Sequence, residues 1–373
     1  MTAALKYRSS RQIVTVVGEV NIERKYYRCA GVGGCKCGVV PFDDWAGMGK
    51  GCLTIGARRL ACLAASSWSF DKSSQNLVEF CGLHISDQTI RRVADEEGLK
   101  IFDWMETAYA ATTKFTHAQG QIELLGDGTM VNTREGWKEM RVTLIGKRKP
   151  GPSVDPCAWE NIEHRHLPAS EARLVSARFA DSEQMGRVWK AQATRLGLGN
   201  GEGVSVLADG AKWIWSKAGE ALPLAEQVVD IYHLSEHVHQ CAGVLLGEHT
   251  AEAAAWAGTK IMDLARHGAA PTLHELDGVL ASWEKQKPAD QRALRGLIGY
   301  IGDNQTRMPY ADRLRRGLPI GSGQIEGACK TVVGRRLKLN SARWQPERAQ
   351  HLAAHHSAQY SDLWPTYWES KAA

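Results

Sequence analysis

Three acidic side chains stand in settings suited to holding a hard metal ion. Asp127 closes an apolar run in LLGDGT, and Asp209 closes a closely similar one in VLADGA. A carboxylate at the mouth of a buried strand, followed at once by glycine, is expected at the rim of a sheet and not in its core. If the two strands lie side by side and parallel, the carboxylates become neighbours, and such charges repel unless a cation sits between them. Oxygen donors of this kind suit Mg²⁺, or Mn²⁺ in its place. Glu326, in GSGQIEGACK, follows a glycine-rich loop and opens a helix on which Lys330 and Gly334 would share its face. Three carboxylates around two divalent ions would stabilise the attacking and leaving oxygens of an in-line phosphoryl transfer. Taken singly, each residue has an ordinary explanation: an Asp-Gly pair is a tight turn, and a glutamate at a helix start meets the helix dipole. The combination points to chemistry.

Asp230 and His233 form a DxxH group in VVDIYHLSEHV. The histidine is placed to orient a carboxylate or touch a scissile phosphate, and the bland alternative is a helix cap from Asp230. Cationic side chains gather in two stretches. Residues 1–60 and 301–350 each hold ten Lys or Arg against four Asp or Glu, within a chain whose net charge is only +5. Two basic stretches around an acidic middle suit contact with a polyanion, although solvated surface has the same composition. Lys330, Arg335, Arg336, Lys338 and Arg343, with Trp344, would project from the Glu326 helix toward phosphates.

The elements that must position these groups follow from periodicity. Residues 11–27 alternate as a β-hairpin or short meander, followed by Cys29, Cys35 and Cys37 in a glycine-rich loop. A helix, a turn at Gly82 and a second helix capped by Ser86 resemble a helix-turn-helix, with Arg91 and Arg92 exposed for DNA contact. Strands are expected at 121–133, 139–148 and 172–180, a helix over 182–198 capped by Ser182, a strand over 203–215 running into a short helix, and a strand over 226–233. That order is the order of an RNase H-like mixed α/β sheet. Residues 234–316 read as helical throughout, with Pro271, Pro288 and Pro309 marking breaks.

The blocks ADGAKWIW, DIYHLSEHV and RLRRGLPIGSGQIEGACKTVVGRRLKLNSARW resemble bacterial insertion-sequence transposases of the Kra group, DDE enzymes similar to the Mutator superfamily. The resemblance runs from about Val17 to about Tyr360. It implies that Asp127, Asp209 and Glu326 are the metal-holding triad and that Asp230 and His233 are an accessory motif. It also implies that 234–316 is an all-helical insertion in the catalytic domain. The implied partners are double-stranded DNA, as transposon ends and target, and further copies of the chain once DNA is bound. The corresponding division is 1–50, a β-hairpin and partial zinc-ribbon-like segment; 51–115, a helical DNA-binding region; 116–233 with 317–360, the catalytic core; and 234–316, the insertion. Relatives of this kind carry an earlier CxxC pair, whereas no cysteine here precedes Cys29. A four-ligand zinc site then lacks half its donors, and bound zinc is not expected.

The 373 residues suffice for two or three domains, and no apolar run is long enough to span a bilayer. Nine scattered cysteines suit reduced thiols in a cytoplasmic protein. Two other functions remain open at this point: a structure-selective nuclease of the same fold, and a truncated or domesticated DNA-binding protein without catalysis.

Overall fold

The computed structural model describes residues 3–29, 37–46, 48, 51–159, 167–283 and 287–371. The chain divides into two units: Met1–Ala111 with Met130–Lys138 and Lys330–Ala373, and Thr112–Thr129 with Glu139–Cys329. The division differs from the one expected. Residues 330–360 cluster with the N-terminal segments and not with the sheet, and the helical stretch 234–316 falls in the same unit as the sheet.

In the first unit, β1 (Ala3–Thr15) and β2 (Gly18–Cys29) form a long antiparallel hairpin, with short β3 (Gly38–Val39) on the outer side of β2. Behind it, helices Ile55–Ser67, Asp87–Thr107 and Pro346–Tyr360 share a core of small and branched side chains, including Ala57, Ala61, Ile90, Val93 and Ala354. Small residues let helix backbones approach closely, which explains why the C-terminal helix joins this unit. Helix Phe70–Cys81 ends at Gly82 in the left-handed region, and Ser86 Oγ accepts from Thr89 N at 3.3 Å to open the next helix. The helix–turn–helix outline is therefore as read from the sequence.

The second unit is built on a mixed five-stranded sheet: β4 (Gln121–Thr133), β5 (Gly136–Arg148), β6 (Ala172–Arg178), β7 (Val204–Ala208) and β8 (Glu226–Val229). Their order across the sheet is β6-β5-β4-β7-β8. β5 and β6 are antiparallel, whereas β4 and β7, and β7 and β8, are parallel. All five residues of β7 are buried, as a parallel strand covered on both faces requires. Trp189, on helix Ser182–Arg195, is fully buried, and its indole donates to Thr143 Oγ1 at 2.9 Å.

Two expectations are corrected here. The Ser182–Arg195 helix is capped by Asp181, not Ser182, because Asp181 and Gln184 form a reciprocal capping box. β8 ends at Val229, and 230–233 begin a helix, Ile231–Leu246, with Asp230 as its N-cap. Among the described residues no helix is long and apolar enough to cross a membrane.

Candidate active site

The pairing of β4 with β7 sets Leu125 opposite Leu207, and the same register carried two residues on sets Asp127 opposite Asp209. β7 pairs with β8 so that Ala208 faces Val229, and one residue further on Asp209 corresponds to Asp230. Asp209 and Asp230 thus follow directly where β7 and β8 end, whereas Asp127 lies within β4, which runs on to Thr133 and does not close at the Asp-Gly step as expected. The glycine after Asp209 suits a backbone that side chains rarely adopt, and the glycine after Asp127 leaves room for the Glu139 side chain. A Cβ on Gly128 would lie 2.3 Å from Glu139 Oε1, and one on Gly210, whose φ is +97°, would lie 2.9 Å from the Tyr300 hydroxyl.

The three aspartates have different surroundings. Asp127 is half-buried; its Oδ1 accepts from Gly128 N at 2.6 Å, and the Cys329 thiol donates to Oδ2 at 3.6 Å. Burial holds the Asp127 carboxyl above the usual range, and the charge of Asp209 adds to this, against the two hydrogen bonds and nearby His233. Asp209 uses Oδ1 to accept from Ala211 N at 2.9 Å at the start of helix Lys212–Ala221, and its carbonyl accepts from the Tyr300 hydroxyl at 3.1 Å. Asp230 is only 3% exposed and is committed to the protein. Its Oδ1 accepts from Tyr232 N at 2.8 Å, and its Oδ2 accepts from Ser322 N at 3.0 Å and from Ser322 Oγ.

That last contact ties the loop before Glu326 to the end of β8. A second tie follows at once, because Gln324 Nε2 donates to Glu123 Oε2 at 3.3 Å and Gln324 Oε1 accepts from Ser170 Oγ at 2.7 Å. Glu123 is itself fixed by a buried two-point ion pair with Arg148, at 2.9 and 2.6 Å. Short helix Gly323–Ala328 is held from two sides, and Cys329 brings its C-terminal end to Asp127. Glu326 is exposed, one turn before Cys329. Ser322, Gln324, Glu123 and Arg148 were missed by sequence reasoning, since their partners lie about a hundred residues or more away or carry no motif.

The structure brings Asp127 and Asp209 together, and it brings the helix of Glu326 to Asp127. Among the described residues, however, no group of three or more His, Cys, Asp or Glu is gathered to hold a metal ion. His233 is part-exposed, with Nδ1 3.3 Å from Glu236 Oε2. His237 stacks on Tyr300 with ring centres 3.9 Å apart, and burial, with His233 nearby, pushes its imidazole down.

The remaining candidates lie in the first unit. Arg91, Arg92, Lys330, Arg335, Lys338 and Arg343 are exposed, and Arg92 pairs with Glu96 at 2.8 Å. Arg336 is a correction: it is 3% exposed, its Nε donates to the Ala65 carbonyl at 3.0 Å, and burial pushes its guanidinium down to about 10. It holds the fold and does not face a phosphate. Residues Cys329–Gly334 form a π-helix, so the straight face joining Glu326 to Lys330 and Gly334 is interrupted. Cys29 and Cys37 lie on adjoining backbone, with Cys29 N donating to Cys37 O at 3.0 Å, and Cys35 falls outside the described residues. No protein-family model and no curated protein matches the chain.

Proposed function

We propose that the chain is a DNA transposase with an RNase H-like catalytic core, similar to the Kra group of insertion-sequence enzymes. The observation that carries this reading is the register of β4 against β7: carried on from Leu125 and Leu207, it leaves Asp127, within β4, beside Asp209, just past the end of β7, and the charge of Asp209 is felt at Asp127. The donor set fits a hard divalent ion. Both groups supply oxygen, Asp127 is withdrawn from water beside a like charge, and each uses an oxygen in a local backbone contact that fixes its direction. Asp127 and Asp209 would hold Mg²⁺ or Mn²⁺, with the exposed Glu326 as the further ligand. When bound, the metal offsets charge on phosphate oxygens and makes water or a 3′-hydroxyl a better nucleophile.

The chain's own residues do the positioning. The Asp230–Ser322 and Gln324–Glu123 ties fix the start of the Glu326 helix, and the Cys329 thiol orients the Asp127 carboxylate. In the first step a water oxygen attacks a phosphorus at the transposon end, the bond to the 3′ oxygen breaks, and that oxygen leaves as a hydroxyl. In the second step this hydroxyl attacks a target phosphorus and displaces the target's 3′ oxygen. One phosphodiester forms for each broken in joining, so no nucleotide cofactor is needed.

The test uses the purified full chain, Mg²⁺ and labelled DNA containing the natural sequence on either side of the coding region. The reading predicts cut ends bearing a 3′-hydroxyl and joined products, both reduced on the order of a thousand-fold by Asp209→Ala. Cut ends without joined products would favour a nuclease of the same fold, and wild-type rates in Asp209→Ala would overturn the assignment.

A further inference from the structure

The first unit carries a second chemical site of its own. A cavity of about 170 Å³ is lined by Phe70, Arg91, Arg134, Arg343, Trp344 and Arg348, among others. A neighbouring cavity of about 410 Å³ shares Arg91, Asp95 and Arg348 with it and extends to the Ser86 cap of helix Asp87–Thr107. Together they are lined by five guanidinium groups, Arg92 of the second cavity included, against the one carboxylate of Asp95. That carboxylate is largely spent: Asp95 receives the His351 ring at 2.7 Å and lies 3.6 Å from Arg348 Nε.

The aromatic end is built in advance. Buried Arg336 lies 4.9 Å from the ring centre of Trp344 and 5.1 Å from that of Phe70, which holds both rings by cation–π contact. The Trp344 indole donates to Leu337 O at 3.0 Å. Backbone contacts from Trp344 N to Asn132 O at 3.1 Å and from Arg134 N to Trp344 O at 2.7 Å join the β4–β5 tip to this segment. Arg343 Nε donates to Thr133 O at 3.3 Å, so Arg134, Arg343 and Trp344 share one fixed backbone.

We infer that this groove binds single-stranded nucleic acid, taking an unstacked base against Trp344 and Phe70 and the flanking phosphates on Arg91, Arg343 and Arg348. Guanidinium groups interleaved with an aromatic platform match the requirements of a strand whose bases are free to stack on protein. A duplex satisfies the arginines but keeps its bases stacked inside, so it cannot use the rings. The inference sharpens the DNA-contact reading of Arg91, Arg343 and Trp344 and does not depend on metal chemistry.

The experiment is fluorescence anisotropy of a labelled mixed-sequence strand of about twelve nucleotides, and of its duplex, with the full chain in EDTA. The strand is expected to bind roughly ten-fold tighter than the duplex. Trp344→Leu should weaken strand binding roughly ten-fold or more, while Trp344→Phe keeps it. Arg91→Gln and Arg348→Gln, at exposed side chains, should each lower the salt dependence by about one unit of slope, and they serve if Trp344→Leu does not fold. An RNA strand binding as well as DNA supports the same groove chemistry. Equal affinity for duplex, or wild-type strand affinity in both Trp344→Leu and Arg348→Gln, overturns the proposal. Asp209→Ala should bind the strand normally, so failure here and failure of the catalytic reading are separable.

Discussion

Glu97 in the first unit and Asp127 in the second are both withdrawn from water, yet their surroundings push them in opposite directions. Burial alone would raise Glu97, but the Tyr367 hydroxyl at 2.7 Å, Lys100 at 3.0 Å, Arg58 at 2.7 Å and Lys371 at 3.3 Å hold it down at about 2. Asp127 is raised by burial, the charge of Asp209 raises it further, and the Gly128 and Cys329 hydrogen bonds and His233 do not offset the two. One carboxylate carries its counter-charges with it; the other is left short of them. A half-buried carboxylate left beside a like charge is a functional-site signature, whereas a neutralised one is part of the core.

Three substitutions separate the two carboxylates. Glu97→Gln removes the buried charge facing Arg58, leaving it only the more exposed Glu96 at 3.0 Å, and should cost about 3–5 kcal/mol in urea unfolding. If Glu97→Gln unfolds like the wild type, the ion cluster is not what holds the first unit.

The next effect is of pH. Burial pushes His355 and His356 down to about 4, with His355 Nε2 donating to the Ala94 carbonyl at 2.7 Å. A depressed histidine contributes stability that is complete above its ordinary value near 6.5 and is lost as pH falls toward 4. The loss should be on the order of 3 kcal/mol for His355 over that window, followed below about 4.5 by the loss from Glu97. Replacing His355 by Leu should flatten the upper part of the acid curve, and an unchanged curve would remove the histidine from the account.

The smallest effect has the opposite sign. A raised carboxyl costs stability once pH rises through its folded value, so Asp127→Asn should raise the melting temperature modestly in EDTA at neutral pH. A fall there would mean that Asp127 is held by counter-charge after all.

These regions also differ in how far their sequences could be read. The Asp209 setting was legible because a buried parallel strand writes itself as a continuous apolar run and the Asp-Gly step marks its end, whereas β4 runs on past Asp127 to Thr133, so there the step marks only where full burial gives way. The ties on Ser322 and Gln324 were not legible, because side-chain hydrogen bonds to Asp230 and Glu123 leave no local pattern. Arg336 misled for a related reason: in a run of basic residues nothing local says which one points inward to Phe70 and Trp344. The arginine groove was legible only in part. Arg91, Arg343 and Trp344 stood in basic segments, but Arg134 and Arg348 join them only through the tertiary fold.

A cation held by Asp127 and Asp209 should reveal itself through divalent-ion linkage to stability. Thermal unfolding of the wild-type chain and of Asp209→Asn should be followed across a Mg²⁺ titration. A ligand that binds only the folded state raises the melting temperature with its concentration. The account predicts a progressive rise for the wild type and none for Asp209→Asn. A wild-type curve that does not move, or an equal rise in both proteins, would contradict a cation site on the β4–β7 carboxylates.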